Sequence, residues 1–379
     1  MAGHFPRNPS PWVTDAMPSP EEAQLRTSTH GRRLRILTTP ALGLWPLLLC
    51  AALILILNTG RVAGAEDDYS FDDSPRAEAM EHPAWFKRSL LDLREDLKEA
   101  VQAGKQGLMV YFGQARCAYC HRLLQVNFGL DDIATYARNH FDLVALDARG
   151  PREVTLLNGD VMTEQDFALV EETNFTPSIL FYDRDGREAL RLRGYYPPYQ
   201  FRAALEYVAD GHYARESFRD YLARGDDRRV FDAEDLNEED FFAPPPFNLD
   251  RSQRPGERPL VVFFEQGDCH GCDVLHGQLL RDGTLRGLVQ GLDSVQLDMR
   301  AATPVVTPSG ERTRARDWAA NLGLFHAPTL IFFDEQGREI LRLDSLARFY
   351  RLGQVLSYIT SGAYRYQRYP QWRAQGSAD

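Results

Sequence analysis

The chain carries two cysteine pairs, Cys117-Ala-Tyr-Cys120 and Cys269-His-Gly-Cys272, each just past an apolar run and each followed at a matching distance by a proline. Pro177 lies 57 residues beyond Cys120, and Pro328 lies 56 beyond Cys272. Two unrelated zinc or packing sites would not share that distance, so the pairs belong to one repeated unit. The likeness runs on past the cysteines. Gly186-Arg-Glu188 recurs as Gly337-Arg-Glu339, and the copies end alike at Asp210-Gly-His-Tyr213 and Ser361-Gly-Ala-Tyr364. The chain is an internal duplication with a repeat of about 150 residues, the step from Cys117 to Cys269.

A length of 379 residues allows two ordinary domains plus tails. With 44% hydrophobic and 26% charged residues the chain can bury a core, which excludes general disorder. A net charge of -11, with no long basic patch beyond the N-terminus, argues against nucleic acid as a partner. Of five cysteines, Cys50 lies in an apolar segment and four form the pairs, so none is left for a structural bridge.

Residues Ala41 to Leu57 form a long apolar stretch, preceded by Arg32, Arg33 and Arg35 and followed by Ala63-Gly-Ala65. Positive charge ahead of an apolar segment keeps the N-terminus in the cytoplasm and sends the downstream chain across the membrane. The small-x-small triplet suits signal peptidase. Residues 1–65 are therefore expected to be a leading region and signal peptide cut near Ala65 or, uncut, a single membrane anchor through residues 41–57. Both versions place the rest in the periplasm and touch the membrane only through this segment. Residues 66–84 follow as an acidic spacer expected to be mobile, 85–224 as a first domain, and 225–257 as an acidic, Pro-rich linker. Residues 258–369 make a second domain and 370–379 a tail, with Phe241, Phe242 and Phe247 suited to pin part of the linker to a domain surface.

Within the first domain, Phe86, Leu90, Leu93, Leu97 and Val101 place one apolar stripe on a helix from Trp85 to Val101. Strands are expected at Gly107 to Gly113 and Phe141 to Asp147, with a hairpin turning at Asn158-Gly159, where both residues tolerate positive φ. Thr163 and Asp166 form a capping pair for the next helix. Strands at Ser178 to Tyr182 and Glu188 to Arg193 and a helix from Pro197 to Asp210 close the unit. The second domain repeats the order, with strands at Arg258 to Phe264, Ser294 to Asp298, Pro328 to Phe333 and Glu339 to Leu343 and a hairpin at Val305 to Thr313.

A cysteine at a helix N-terminus becomes a thiolate readily, because unpaired backbone N–H groups and the helix dipole favour negative charge there. Two intervening residues place the second sulfur one turn on, where it can attack a mixed disulfide and release the product. Cys117 and Cys269 are thus the expected nucleophiles, and Cys120 and Cys272 the resolving cysteines.

The order βαβ, CxxC, then Thr-Pro or Ala-Pro opening a ββα end resembles the thioredoxin fold over roughly residues 85 to 215 and 258 to 365. The resemblance implies an α/β architecture of two tandem thioredoxin-like domains, each a central mixed β-sheet flanked by helices, with a β-hairpin insertion. It implies that Pro177 and Pro328 are cis and lie against the CxxC pairs, so that Thr176-Pro177 and Ala327-Pro328 face substrate. The hairpin, the FYDRDG and FFDEQG turns and the GxY endings are most similar to the exported thioredoxin-like proteins of bacterial sulfur-oxidation systems. The activity so implied is thiol-disulfide exchange with proteins or small thiols, recharged by a membrane or periplasmic redox partner, with redox-active disulfides in place of a cofactor and no metal.

The chain departs from that family in the slot six residues before the first cysteine, where thioredoxin has a buried Asp and this chain has Tyr111 and Phe263. Glu265 is not assumed to replace it. Tyr119 and His270, between the sulfurs, are candidate modulators, and His270 as a cation would stabilise a thiolate. His140, His276 and His326 read as ordinary surface histidines, and Tyr195, Tyr196 and Tyr199 as core and turn packing ahead of a substrate groove. Cys117 to His121 also spells the CxxCH haem-attachment sequence, but the second copy has Asp273 where the histidine falls. A zinc shared by both pairs would need the two motifs face to face. The rival of a different class is a binding or scaffold protein in which one domain keeps its CxxC without turnover.

Overall fold

The computed structural model describes residues 69–225, 236–267 and 269–376. The apolar segment 41–57 and the proposed cleavage site lie outside the described residues, and among those described no helix is long and apolar enough to cross a membrane.

In the first domain α1 (Leu93–Gln102) leads into β1 (Gly107–Gly113), followed by α2 (Ala118–Arg122), a π turn (Leu123–Asn127), α3 (Asp131–His140) and β2 (Phe141–Asp147). A side hairpin of β3 (Glu153–Thr155) and β4 (Val161–Thr163) precedes α4 (Glu164–Val170), then β5 (Ser178–Asp183), β6 (Glu188–Arg193), α5 (Pro198–Ala209) and α6 (Phe218–Gly225). The sheet order is β2-β1-β5-β6, with β1 parallel to β2 and antiparallel to β5. Every residue of β1 is buried, which is why its sequence is an unbroken apolar run. Met109 and Tyr111 pack on one face of the sheet, and Leu108, Val110 and Phe112 on the other.

The second domain repeats this frame. It comprises β7 (Phe247–Asn248), β8 (Leu260–Glu265), α7 (His270–Val274) with a π turn (Leu275–Leu279), α8 (Gly283–Gln290), β9 (Asp293–Asp298), β10 (Pro304–Val306), β11 (Arg312–Arg314) and α9 (Ala315–Asn321). Then come β12 (Thr329–Phe333), β13 (Glu339–Leu343), α10 (Phe349–Thr360) and α11 (Tyr369–Gly376), and the main sheet runs β13-β12-β8-β9. β7 pairs in parallel with β10, so the end of the acidic linker forms an outer strand beside the second hairpin, while Phe241 and Phe242 pack on the core.

Three local expectations are corrected. The first helix starts at Leu93 and not near Trp85, because Asp92 caps it by accepting from the N–H groups of Arg94 and Glu95. Leu90, read as part of the stripe, is 99% exposed. In the first hairpin only Gly159 takes positive φ (94°), and Leu156 N donates to Asp160 O at 2.8 Å around a longer turn. The described part of the acidic spacer, expected to be mobile, is anchored: Phe71 is buried in the first domain's core, and Asp73 accepts hydrogen bonds from both domains.

The two domains dock through equivalent parts. Gly194 and Ser345, at the same position past their respective cis prolines, face one another, and a Cβ on Gly194 would collide with the Ser345 side chain. Leu346 N donates to Tyr195 O at 3.2 Å, and the Tyr196 hydroxyl donates to Asp344 O at 3.1 Å. An isologous contact of this kind is what a duplicated chain forms when its copies pair about an approximate two-fold axis.

Candidate redox sites

Each β-strand carrying a site ends a few residues before its cysteine pair, and the first cysteine caps the following helix. The Cys117 sulfur accepts from Cys120 N at 3.1 Å, and the Cys269 sulfur from Cys272 N at 3.1 Å. Both pairs are disulfide-bonded, with Cα separations of 5.1 and 5.2 Å, within the usual disulfide span. Cys117 and Cys269 are 6% and 7% exposed, whereas Cys120 and Cys272 are 0% and 1% exposed. The first cysteine of each pair thus keeps a little exposure, and the second is fully shielded.

The Thr176–Pro177 and Ala327–Pro328 bonds are both cis, as is Pro245–Pro246 in the linker. The Thr176 hydroxyl donates to the Cys117 sulfur at 3.3 Å, and Thr176 O lies 3.3 Å from the same sulfur. At the second site a Cβ on Gly271 would sit 3.0 Å from Pro328 Cδ, so glycine lets the redox helix lie against the cis proline. Tyr69 occupies the same place, with its ring 2.9 Å from that Cβ position and edge-on to the exposed His270 ring at a centroid distance of 5.2 Å.

Tyr119 is buried and not on the surface of its site. Its hydroxyl donates to Asp73 Oδ2 at 2.7 Å and accepts from Arg348 N at 2.7 Å, while the Arg351 guanidinium lies 3.4 Å from the ring centre. Burial pushes the Tyr119 phenol well above its ordinary pKa and pulls Arg351 below its own. Tyr111 and Phe263 fill the slot of the family's Asp and are fully buried. Tyr195 and Tyr196 are core residues, whereas Tyr199 is exposed.

The reading of His276 and His326 as surface residues is wrong. His276 is 4% exposed, with Nε2 2.9 Å from Glu265 Oε1 and Nδ1 3.1 Å from Glu239 Oε1. Burial disfavours its cation, but the two carboxylates outweigh that and raise its pKa. Glu265 is fully buried and also accepts from Gln296 Nε2 at 2.9 Å. His326 is buried beside Gln200, 3.2 Å from Nδ1 to Oε1, and desolvation lowers its pKa to about 4. His140 is half-buried and stacks on Tyr136. Near the sites, the sequence reading named neither Asp73 nor Arg351, set Glu265 aside and put His276 on the surface. A signal existed for two of them, because Glu265 extends the apolar run of β8 and His276 falls four residues past Cys272, one helical turn on.

The thioredoxin-like domain family matches this chain twice, over residues 93–209 and 248–360. Among solved structures, the chain is similar to a thioredoxin-fold protein from Helicobacter pylori (25% identity, 31% of this chain and 78% of that one, TM-score 0.28). It is also similar to a thioredoxin from Thermus thermophilus (24% identity, 30% and 81% covered, TM-score 0.25). A third similar structure is the DsbH oxidoreductase (13% identity, 35% and 91% covered, TM-score 0.25). No curated protein matches the chain.

Proposed function

Because the chain belongs to the thioredoxin-like domain family and is a thiol-disulfide oxidoreductase, we propose that it works outside the cytoplasm, exchanging disulfides with proteins or small thiols at two sites. The observation that carries this reading is the shared geometry of the pairs: an outer sulfur at a helix N-terminus, a buried sulfur one turn on, and a cis proline alongside. The reduced outer cysteine attacks a substrate disulfide, forming a mixed disulfide and releasing one substrate thiolate. The inner cysteine then attacks the outer sulfur, the protein disulfide forms, and the second substrate thiolate leaves. Two electrons pass to the substrate, and the opposite direction runs through the same steps. The chemistry uses the cysteines alone, so no haem or metal enters it. Export rests on residues 32–65 and recharging on a membrane or periplasmic partner, both read from the sequence.

Ala327-Pro328, part-exposed, and Thr176-Pro177, buried with Thr176 O bonded to Arg351, are assigned to substrate binding at their sites, and His270 to tuning the second site. Replacing Cys120 or Cys272 by serine leaves an attacking thiolate without a resolver, so mixed disulfides with partners accumulate and survive non-reducing electrophoresis. Replacing Cys117 or Cys269 abolishes them. If Cys117→Ser traps partners as well as Cys120→Ser does, the assignment of attacker and resolver fails for the first site. A second domain in which neither variant traps anything is a binding module.

A further inference from the structure

The pairing of the two domains brings a cation to one redox site and not to the other. Gln200 and Arg351 are equivalent, each the third residue of its domain's long C-terminal helix. Each reaches the loop before the other domain's cis proline. Gln200 Oε1 meets His326 Nδ1 at 3.2 Å, while Arg351 Nη2 donates to Thr176 O at 2.7 Å. That carbonyl is the one 3.3 Å from the Cys117 sulfur, so the guanidinium and the sulfur share a single oxygen as neighbour.

Arg351 is 5% exposed, and its guanidinium lies against the rings of Tyr119 and Phe175. Among the described residues its Nη1 is buried without a hydrogen-bond partner. A buried guanidinium with an unused N–H group costs free energy unless an anion comes within reach. Asp73 is the neighbouring carboxylate, but its oxygens already accept from the Tyr350 and Arg351 backbone N–H groups and from the Tyr119 hydroxyl. The other charged side chains of the cleft over Cys117 are Arg116 and Arg373, and Tyr350 and Tyr369 complete its titratable groups. Among these cations Arg351 is the buried one, set where reduction creates negative charge.

We propose that Arg351, supplied by the second domain, is the counter-charge that holds Cys117 as a thiolate in the reduced first site. The site then reaches its working charge state only when the two domains are docked. Reduction to this state takes up two electrons and one proton, leaving Cys117 as thiolate and Cys120 as thiol. Arg351 acts on the reacting sulfur through space and does not touch substrate. The inference rests on Cys117 being the attacking sulfur, as proposed above.

The test is alkylation of the fully reduced, full-length chain by iodoacetamide across about pH 4–9, with each cysteine followed by peptide mass spectrometry. Arg351→Met and Arg351→Gln should move the Cys117 midpoint up by about one pH unit and slow its alkylation near pH 6 roughly tenfold. Arg351→Lys keeps the charge and should stay near wild type, and the Cys269 curve should not move in any variant. A Cys117 curve unchanged in Arg351→Gln overturns the proposal, as does Arg351→Lys shifting it as far as Arg351→Met. Should Arg351→Met lose its native circular dichroism, the glutamine and lysine variants decide. If wild-type Cys120 reacts before Cys117, it is the assignment of the attacking sulfur that fails.

Discussion

Replacing Asp73 by alanine removes a carboxylate that ties the N-terminal segment to both domains. Its Oδ1 accepts from Tyr350 N at 2.8 Å, and its Oδ2 accepts from Arg351 N at 2.8 Å and from the Tyr119 hydroxyl at 2.7 Å. The two backbone donors belong to the first turn of α10, whose own cap residue, Arg348, makes no side-chain cap hydrogen bond among the described residues. Asp73 therefore caps that helix from far away in the sequence. Loss of a helix cap costs about 0.5–2 kcal/mol. A buried hydrogen bond to a charged acceptor adds about 1.5–3 kcal/mol, not fully additive because one group makes all three. The expected cost of Asp73→Ala is thus about 3 kcal/mol, and Asp73→Asn, which keeps an acceptor, should cost about 1 kcal/mol. At about 1.4 kcal/mol per tenfold change, local opening of the helix start should become roughly 100-fold more frequent. Amide hydrogen exchange at Tyr350 and Arg351 reads this directly, and a thermal melt should show a fall of several degrees. Unchanged exchange at those two amides in Asp73→Ala, with an unchanged melt, would refute the capping argument and the anchoring of the segment with it.

The Glu265–His276–Glu239 cluster makes the second domain pH-sensitive. A raised His276 pKa contributes stability that is complete below the unfolded value of 6.5 and is lost as pH climbs through the folded value, while the lowered Glu239 pKa adds a loss as pH falls below 4.5. Urea denaturation should accordingly be most resisted between those limits, and His276→Gln should flatten the alkaline decline. Tyr69→Ala should uncover the second site, so that a small dithiol reduces the Cys269–Cys272 disulfide several-fold faster with the first site unchanged, as read by mass spectrometry. A reporter fused after residue 70 should be active only in a periplasmic assay, and cytoplasmic activity would overturn the compartment.

β1 was legible because burial on both faces leaves it an unbroken apolar run, and β2 because its buried Phe141, Leu143, Val144 and Leu146 outnumber the aspartates at its less buried positions. β1 and β2 run from Gly107 to Gly113 and from Phe141 to Asp147, as the apolar runs predict. Thr163 caps α4 through its hydroxyl because the capping pair is local in sequence. Long-range partnerships leave no such mark. Tyr69, Phe71 and Asp73 sit in a stretch whose composition reads as an acidic spacer, and the partners of Asp73 lie at Tyr119, Tyr350 and Arg351. Local chemistry also overrode a pattern: Leu90 fits the stripe of α1, but Asp92 starts that helix beyond it.

Duplication supplies two copies of one backbone, yet the groups around the two sulfur pairs have separated. Glu265, four residues before Cys269, and His276, four after Cys272, have as counterparts Gly113 and Leu124 in the first domain, so the buried acid and imidazole exist at one site alone. The docked neighbour contributes Arg351 to the first site and uncharged Gln200 to the second, and Thr176 carries a hydroxyl to Cys117 where Ala327 has none. Both first-site groups favour the thiolate, and stabilising the reduced form raises the reduction potential, by about 30 mV for each tenfold change in equilibrium constant. The first pair then owes part of its potential to the docked domain, whereas the group assigned to tune the second pair, His270, belongs to the second domain itself. An interface that carries the cation for one site is also one that must stay docked for that difference to hold, which is why the anchoring of Asp73 and the charge of Arg351 belong to the same device.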